Sequence, residues 1–279
     1  MKKSVSLILA AIVAAAGLTY GWQNRDAFAG RLLEAGLNAS LKEVFAGSIH
    51  LSGVHVSRRG QLSIAKIEAA WQTPNGPFPL ELESLLSETP VRDILSRKPA
   101  VITFKRLKPL HSSYSGVRGR VTVWPFSKGR CEAELEVESL GLEELAGLEP
   151  VNLGGSSGLL AGKAVIKIGE DGGQEVHVDL ASPEPGGRIQ ARFFDALKPY
   201  LPQAGYKNVL KRISKNDTVA YKHATLNLGR TDPRKINLLF KILVPDYNLD
   251  LNLNVEVRVE EENAYFQIAQ VMGWVRTEQ

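Results

Sequence analysis

From Ile236 to Val259 the apolar side chains recur at every second position. Ile236, Leu238, Phe240, Ile242 and Val244 lead up to Pro245, and Leu249, Leu251, Leu253, Val255, Val257 and Val259 follow it. Asp250, Asn252, Asn254, Glu256 and Arg258 stand between the apolar residues of the second row. A helix repeats its faces every 3.6 residues and a strand every two, so this pattern demands two strands, each with one buried and one wet face. Asp246-Tyr247-Asn248 is the turn between them. An apolar face of this length must be covered. In a sandwich it meets a second sheet, whereas in a half-open groove it stays partly free to receive an acyl chain, and both arrangements require the same alternation. If lipid is the ligand, the lining residues are Ile236, Leu238, Phe240, Ile242, Leu249, Leu251, Leu253 and Val255, each supplying burial at about 25 cal/mol per Å² of apolar area.

The same period continues upstream. Ile49 and Leu51, then Val54 and Val56 after a slip at Gly53, read as a strand with a bulge. Arg59-Gly60 turns the chain into Leu62, Ile64 and Ile67, which makes a hairpin. Three prolines and Gly76 between Thr73 and Pro79 interrupt the pattern, and a short helix is expected over Val91 to Ser96. Strands are expected over Ala100–Arg106, Val117–Trp124, Gly129–Glu138, Leu160–Ile168, Glu175–Ala181, Arg188–Phe193 and Thr218–Leu228. Leu140 to Leu148 reads as a short helix or turn, Gly154-Gly155-Ser156-Ser157-Gly158 as a flexible connection, and Glu170-Asp171-Gly172-Gly173 as a hairpin loop. Helical pieces fall at Phe194–Leu201 and Tyr206–Ile213, and amphipathic helices at Asp26–Phe45 and Asn263–Val275. The expected fold is therefore mainly β with short helices (α+β), an elongated, twisted antiparallel sheet that forms either a half-open groove or a sandwich.

The N-terminus places this body. Lys2 and Lys3 precede a run from Ser4 to Asn24 without a charged side chain. A bilayer core takes about 20 apolar residues in helical form, and flanking lysines keep that end in the cytoplasm. Tyr20 and Trp22 suit the outer interface, while Ala14-Ala15-Ala16 would also serve as a signal-peptidase sequence. Residues 1–24 thus read as a signal anchor or a cleaved signal, 25–46 as a juxtamembrane helix, and 47–279 as the exported body, with a subdivision near 194–216. The implied localisation is the inner membrane, single pass, with the N-terminus cytoplasmic and the body in the periplasm. Export removes nucleic acid as the partner of the basic residues.

Those residues are clustered. Between Arg92 and Arg130 ten basic residues accompany one acid, Asp93, and from Lys207 to Lys235 eight accompany Asp217 and Asp232. On strands such residues serve as a solvated face or as contacts to anionic headgroups. The single Cys131 cannot form an intramolecular disulfide, and it sits in an alternating apolar row with Ala133, Leu135 and Val137, as a core thiol would.

No motif for catalysis, metal or cofactor emerges. His50, His55, His111, His177 and His223 are scattered, and no His-Glu-x-x-His, paired-cysteine or phosphate-loop pattern occurs. Gly162-Lys163 approaches a phosphate loop, but Ser157 replaces its first glycine and Ala164 its metal-binding hydroxyl. Ser156 and Ser157 read as linker residues, and Asp246 and Asp250 as turn residues facing water. The chain is not expected to be an enzyme.

The N-terminal segment with its following helix, the hairpin sequence Gly47-Ser-Ile-His-Leu-Ser-Gly-Val-His-Val56, and the unit Leu140 to Leu148 followed by Gly158-Leu-Leu-Ala-Gly-Lys-Ala resemble the AsmA-like proteins of the Gram-negative envelope and their YdbH-type relatives. The strand pair after Val244-Pro245-Asp246-Tyr247 is similar to the closing part of such chains. The resemblance implies binding or shuttling of lipid acyl chains in envelope biogenesis, with the inner membrane and phospholipid as partners. With strands about 4.8 Å apart, a dozen would extend about 50–60 Å, too short to bridge a periplasm alone. A second resemblance, to the N component of type II secretion systems, implies instead a scaffold within a secretion or outer-membrane assembly complex.

Overall fold

The computed structural model describes Glu34 and residues 49–73, 76–127, 130–145, 154–170, 173–197, 203–213, 217–232 and 235–258. The N-terminal segment 1–24, all of the expected helix Asp26–Phe45 except Glu34, and the expected helix Asn263–Val275 lie outside the described residues. Among the described residues no helix is long and apolar enough to cross a membrane.

Thirteen strands are described. They are β1 Ile49–Val56, β2 Leu62–Thr73, β3 Gly76–Ser87, β4 Ala100–Pro109, β5 Gly116–Val123, β6 Cys131–Gly141, β7 Leu159–Ile168, β8 Gln174–Ser182, β9 Gly187–Gln190, β10 Thr218–Tyr221, β11 His223–Asp232, β12 Lys235–Val244 and β13 Leu249–Arg258. The helices are short: α1 Val91–Leu95, α2 Leu142–Leu145, α3 Ala191–Leu197 and α4 Gln203–Ile213. Eleven strands hydrogen-bond in the order β1-β2-β3-β4-β5-β6-β7-β8-β11-β12-β13, and β9 and β10 form a separate pair. Sequence neighbours are sheet neighbours throughout except where the chain leaves after β8 and returns at β11. The mainly β character and the short helices are thus as the alternation required.

Two compact units divide the chain, one comprising 1–135 with 166–173 and the other 136–165 with 174–279. The division falls within β6 and β7, and residues 194–216 lie inside the second unit.

In the first unit β1 and β2 form the expected hairpin. Its core is Ile49, Leu51, Val54, Leu62 and Ile64, with Val56, Ile67, Ala69 and Leu85 packed against them. The slip at Gly53 adds no residue: the register is the same on both sides of it, from Ile49↔Ala69 to Ser52↔Lys66 and from Val54↔Ile64 to Val56↔Leu62. Gly53 instead takes a φ of +67°, a left-handed kink open to glycine, and a Cβ there would lie 2.6 Å from that of Ala65. Glu34 completes the kink, its Oε2 accepting the N–H groups of Gly53 (3.1 Å) and Val54 (3.4 Å).

The proline-rich stretch was expected to break the sheet, yet Pro77 and Pro79 lie within β3, opposite Gln72 and Ala70. The direction of the neighbouring bonds explains this. The Pro79 carbonyl accepts from Leu110 N at 3.0 Å, on the β4 side. A strand residue's N–H and C=O point the same way, so the missing donors face beyond the end of β4, and the ladder to β2 loses nothing.

The basic run is folded into ion pairs across these strands. Glu81, opposite Glu68 on β2 and Lys108 on β4, is 7% exposed. Lys66 Nζ bridges the two carboxylates, 2.8 Å from Glu81 and 2.7 Å from Glu68, and Lys108 approaches Glu81 at 3.7 Å. Arg106 pairs with Glu83 at 3.2 Å and Arg120 with Glu88 at 2.9 Å. The hydrogen bond from Lys66 leads in holding the Glu81 carboxyl below its ordinary value. The same pair of carboxylates, Glu68 first, holds the Lys66 ammonium above its own. Because the folded Glu81 value is depressed, its contribution is present above the unfolded carboxylate value and is lost as pH falls through the folded one. Glu81→Gln is expected to cost about 1–2 kcal/mol at neutral pH and to flatten the acid limb of the stability curve. Urea unfolding of wild type and variant from pH 7 to pH 3 measures both, and parallel acid limbs would show that Glu81 contributes none of the slope.

Candidate functional site

The second unit contains the alternating rows, and the structure brings them together as anticipated. β12 and β13 pair in register from Lys235↔Arg258 to Val244↔Leu249. A 3-10 turn at Pro245–Tyr247 and a left-handed Asn248 (φ +48°) join them. Ile236, Ile242 and Leu251 are 1% exposed, and Leu238, Phe240, Leu249 and Leu253 are also buried. Val255 is partly buried against the same cluster.

What packs with these rows comes mainly from one segment of the chain itself, with Leu142 of α2 added to the same cluster. The stretch expected to be one strand, Thr218 to Leu228, is two strands in different sheets. β10 pairs with β9, from Thr218↔Gln190 to Tyr221↔Gly187, while β11 pairs with β8 and β12. Likewise the strand expected over Arg188–Phe193 ends at Gln190 and becomes α3. The segment Gly187–Tyr221 thus carries β9, α3, α4 and β10 onto the apolar face. Ile189, Phe193, Phe194, Leu210, Ile213, Val219 and Tyr221 form one cluster with the two rows. Phe193 meets Phe194 edge-on, centroids 5.9 Å apart, and meets Phe240 at 5.4 Å. In α4 the apolar positions Val209, Leu210 and Ile213 recur at the helical period, with Lys211 and Arg212 exposed.

Buried hydrogen bonds pin both ends of this cover. The Tyr221 hydroxyl and Ser182 Oγ are 3.0 Å apart, and Ser182 is fully buried. Burial pushes the Tyr221 phenol above its ordinary value, partly offset by the Ser182 bond. Ser156 Oγ accepts from Gln190 N at 3.0 Å, while Ser157 and Arg188 exchange two backbone bonds of 2.8 Å. Ser156 is 2% exposed. The Gly154–Gly158 stretch is therefore a fixed docking strip for β9 and not the flexible connection that its composition suggested. Glycine is needed for proximity at Gly158 in this strip and at Gly186 and Gly187 beside it, each of which lies against neighbouring backbone or the Tyr221 hydroxyl, where a Cβ has no room.

Seven of the eight candidate lipid-lining residues are buried in one cluster with Phe193, Phe194, Leu210 and Ile213, and Val255 is partly buried against it. Alternation revealed that a cover was needed but not that it came from forty residues upstream. The Phe193-Phe194 pair was the available signal, since it interrupts a strand pattern with two large apolar residues beside a helical stretch.

The opposite face of the same strands is polar. A depression of about 350 Å³ there is lined by Lys163, His177, Asp179, Asn227, Asn237 and Asn254, with Val165 and Leu239 among its apolar residues. Asn227 Nδ2 donates to Asp179 Oδ1 at 2.7 Å, and His177 stands 3.4 Å from Glu175. Among the described residues no three His, Cys, Asp or Glu side chains converge as a metal site would require. Cys131 is half-buried, and desolvation raises its thiol above the ordinary value. Comparison with protein-family models, curated proteins and solved structures finds no match to this chain.

Proposed function

We propose that this chain is a non-catalytic structural component of a cell-envelope assembly, exported by residues 1–24 and attached by them to the inner membrane, with its β body in the periplasm. The observation that carries this reading is the closure of the apolar rows by Gly187–Tyr221. Partners therefore meet a polar, cross-braced strand surface and not a vacant hydrophobic channel. The asparagine-rich, mixed-charge face of β12 and β13, with Asn237, Asn252 and Asn254 beside Lys235, Lys241, Asp250 and Glu256, suits such contacts, since polar, water-tolerant surfaces are typical of the rims of protein interfaces.

Acyl-chain binding, as the AsmA-like resemblance implies, is a second reading, favoured by the contiguity of the cover. One segment, docked at its ends through Ser156, Ser157, Ser182 and Tyr221, would have to lift as a unit to expose Ile236 to Val255. One experiment separates the two. A photo-crosslinking residue at Asn237, exposed on the polar face, is expected to trap one dominant protein adduct in cells. Organic extracts of the protein purified in mild detergent are expected to contain no stoichiometric phospholipid by mass spectrometry. Stoichiometric phospholipid without a protein adduct would reverse the order of the two readings.

A further inference from the structure

One end of the first unit carries a surface that neither reading uses. Ala100 at the start of β4 pairs with Val123 at the end of β5, so the turn after α1 and the turn after β5 emerge together. The second turn is closed by Ser127 N donating to the Trp124 carbonyl at 3.1 Å, with Pro125 at the position that suits its fixed φ. This presents Phe126 outward at 57% exposure, the highest among the large exposed hydrophobic residues described, and Leu95 of α1 follows at 46%.

Cations stand on the same two turns. The Arg97 guanidinium lies 5.9 Å from the Phe126 ring centroid, and that of Arg130 lies 3.9 Å over Trp124. The side chains of Arg92 and Lys98 are 78% and 63% exposed. Asp93 engages Lys98 at 3.1 Å and Arg92 at 3.6 Å, and Glu132 engages Arg130 at 3.5 Å. Among these described residues, four cations against two carboxylates leave a net charge of +2.

We propose that this tip is a docking surface for an anionic bilayer, with Phe126 and Leu95 entering the boundary between headgroups and acyl chains and Arg97, Lys98, Arg92 and Arg130 contacting lipid phosphates. Aromatic rings with one face apolar and a cation at the other settle at that boundary, and arginine stems extend along apolar surface while their heads stay with phosphate. Two protruding side chains on adjoining turns offer a protein partner far less than the roughly 1,000 Å² a stable interface buries, whereas a bilayer needs no complementary shape. The surface is distinct from the N-terminal segment and from the polar face of the second unit.

The test uses the full-length chain with Cys131→Ser and Phe126→Cys, labelled at residue 126 with an environment-sensitive fluorophore. A second preparation is labelled at Asp246→Cys, in the exposed β12–β13 turn. Vesicles of equimolar phosphatidylglycerol and phosphatidylcholine are expected to shift the residue 126 emission to the blue. Pure phosphatidylcholine vesicles, and high salt, should leave it unchanged. Added Arg97→Gln is expected to weaken the response about fivefold, as one basic residue does at an anionic surface, with circular dichroism showing an unaltered fold. Lys2→Gln with Lys3→Gln is expected to leave the charge-dependent response at residue 126 unchanged, which separates it from any contribution of the lysines flanking the N-terminal segment. An equal shift with both vesicle types, an equal shift at residue 246, or no shift with anionic vesicles would each overturn the proposal. A protein adduct from a photo-crosslinker at residue 126 without any vesicle response would do so too, in favour of a protein partner. None of these outcomes bears on the adduct expected at Asn237.

Discussion

Phe194→Ala is expected to destabilise the second unit by about 3–5 kcal/mol, the usual cost of removing a buried aromatic ring from a packed core. Phe194 is 1% exposed and lies edge-on to Phe193, which in turn touches Phe240 in β12. Truncation removes the ring's own burial and leaves a cavity between α3 and the strands, which their hydrogen-bonded ladder prevents from collapsing. Because a typical domain is stable by only about 5–15 kcal/mol, the loss is a large part of the total. Amide hydrogen exchange localises the effect. The amides of β12 and β13 should lose protection together, whereas those of β1 and β2 in the first unit should be unchanged. A change below about 1 kcal/mol would mean that Gly187–Tyr221 covers the rows only loosely, and the acyl-chain reading would gain accordingly.

Gly186→Ala is the second large effect, and Gly155→Ala is its control. Both glycines have left-handed φ values, +81° and +75°, so alanine strains the backbone at either position by about 1–3 kcal/mol. They differ in their surroundings. A methyl at Gly155 would meet only the Thr218 side chain, at 3.8 Å, but at Gly186 it would strike the Tyr221 and Lys222 carbonyls. Those carbonyls lie where β10 ends and β11 begins, so the methyl would push the cover's C-terminal attachment from the sheet. Overpacking of this kind adds about 1–3 kcal/mol. Thermal or urea unfolding should therefore rank wild type above Gly155→Ala and Gly155→Ala above Gly186→Ala, by margins of that size. Equal losses in the two variants would show that backbone strain alone decides and that the close approach at Gly186 is relieved without cost.

Most of the strands were legible because alternation is a local property. Burial on one face and water on the other write themselves into every second residue, and β1, β5, β7, β8, β12 and β13 could be located to within a residue or two, while β2 continues six residues past the Ile67 that its alternation reached. The errors occur where a non-local partner decides. Pro77 and Pro79 read as breakers, yet β3 accepts them because their missing donors point past the end of β4. Thr218 to Leu228 reads as one strand, but its two parts join different sheets. No local pattern records which sheet a strand will join.

The same distinction governs the candidate site. The apolar rows from Ile236 to Val255 were determined by the sequence itself, as were the two faces of each strand and the demand for a cover. Only the tertiary structure decided that residues of Gly187–Tyr221 join the cover, that Phe193 and Phe194 pack into one cluster with the two rows, and that the Gly154–Gly158 strip is where β9 docks. It also decided that part of the basic run is spent on pairs to distant carboxylates such as Arg106–Glu83 and Arg120–Glu88, and that Arg97 and Arg130 come to lie on the rings of Phe126 and Trp124. The physical reason is common to all of these. Periodicity reports the solvent that each side chain meets, an average property of its face, whereas packing and ion pairing depend on which distant atoms arrive at that face, and that is settled only when the chain has folded.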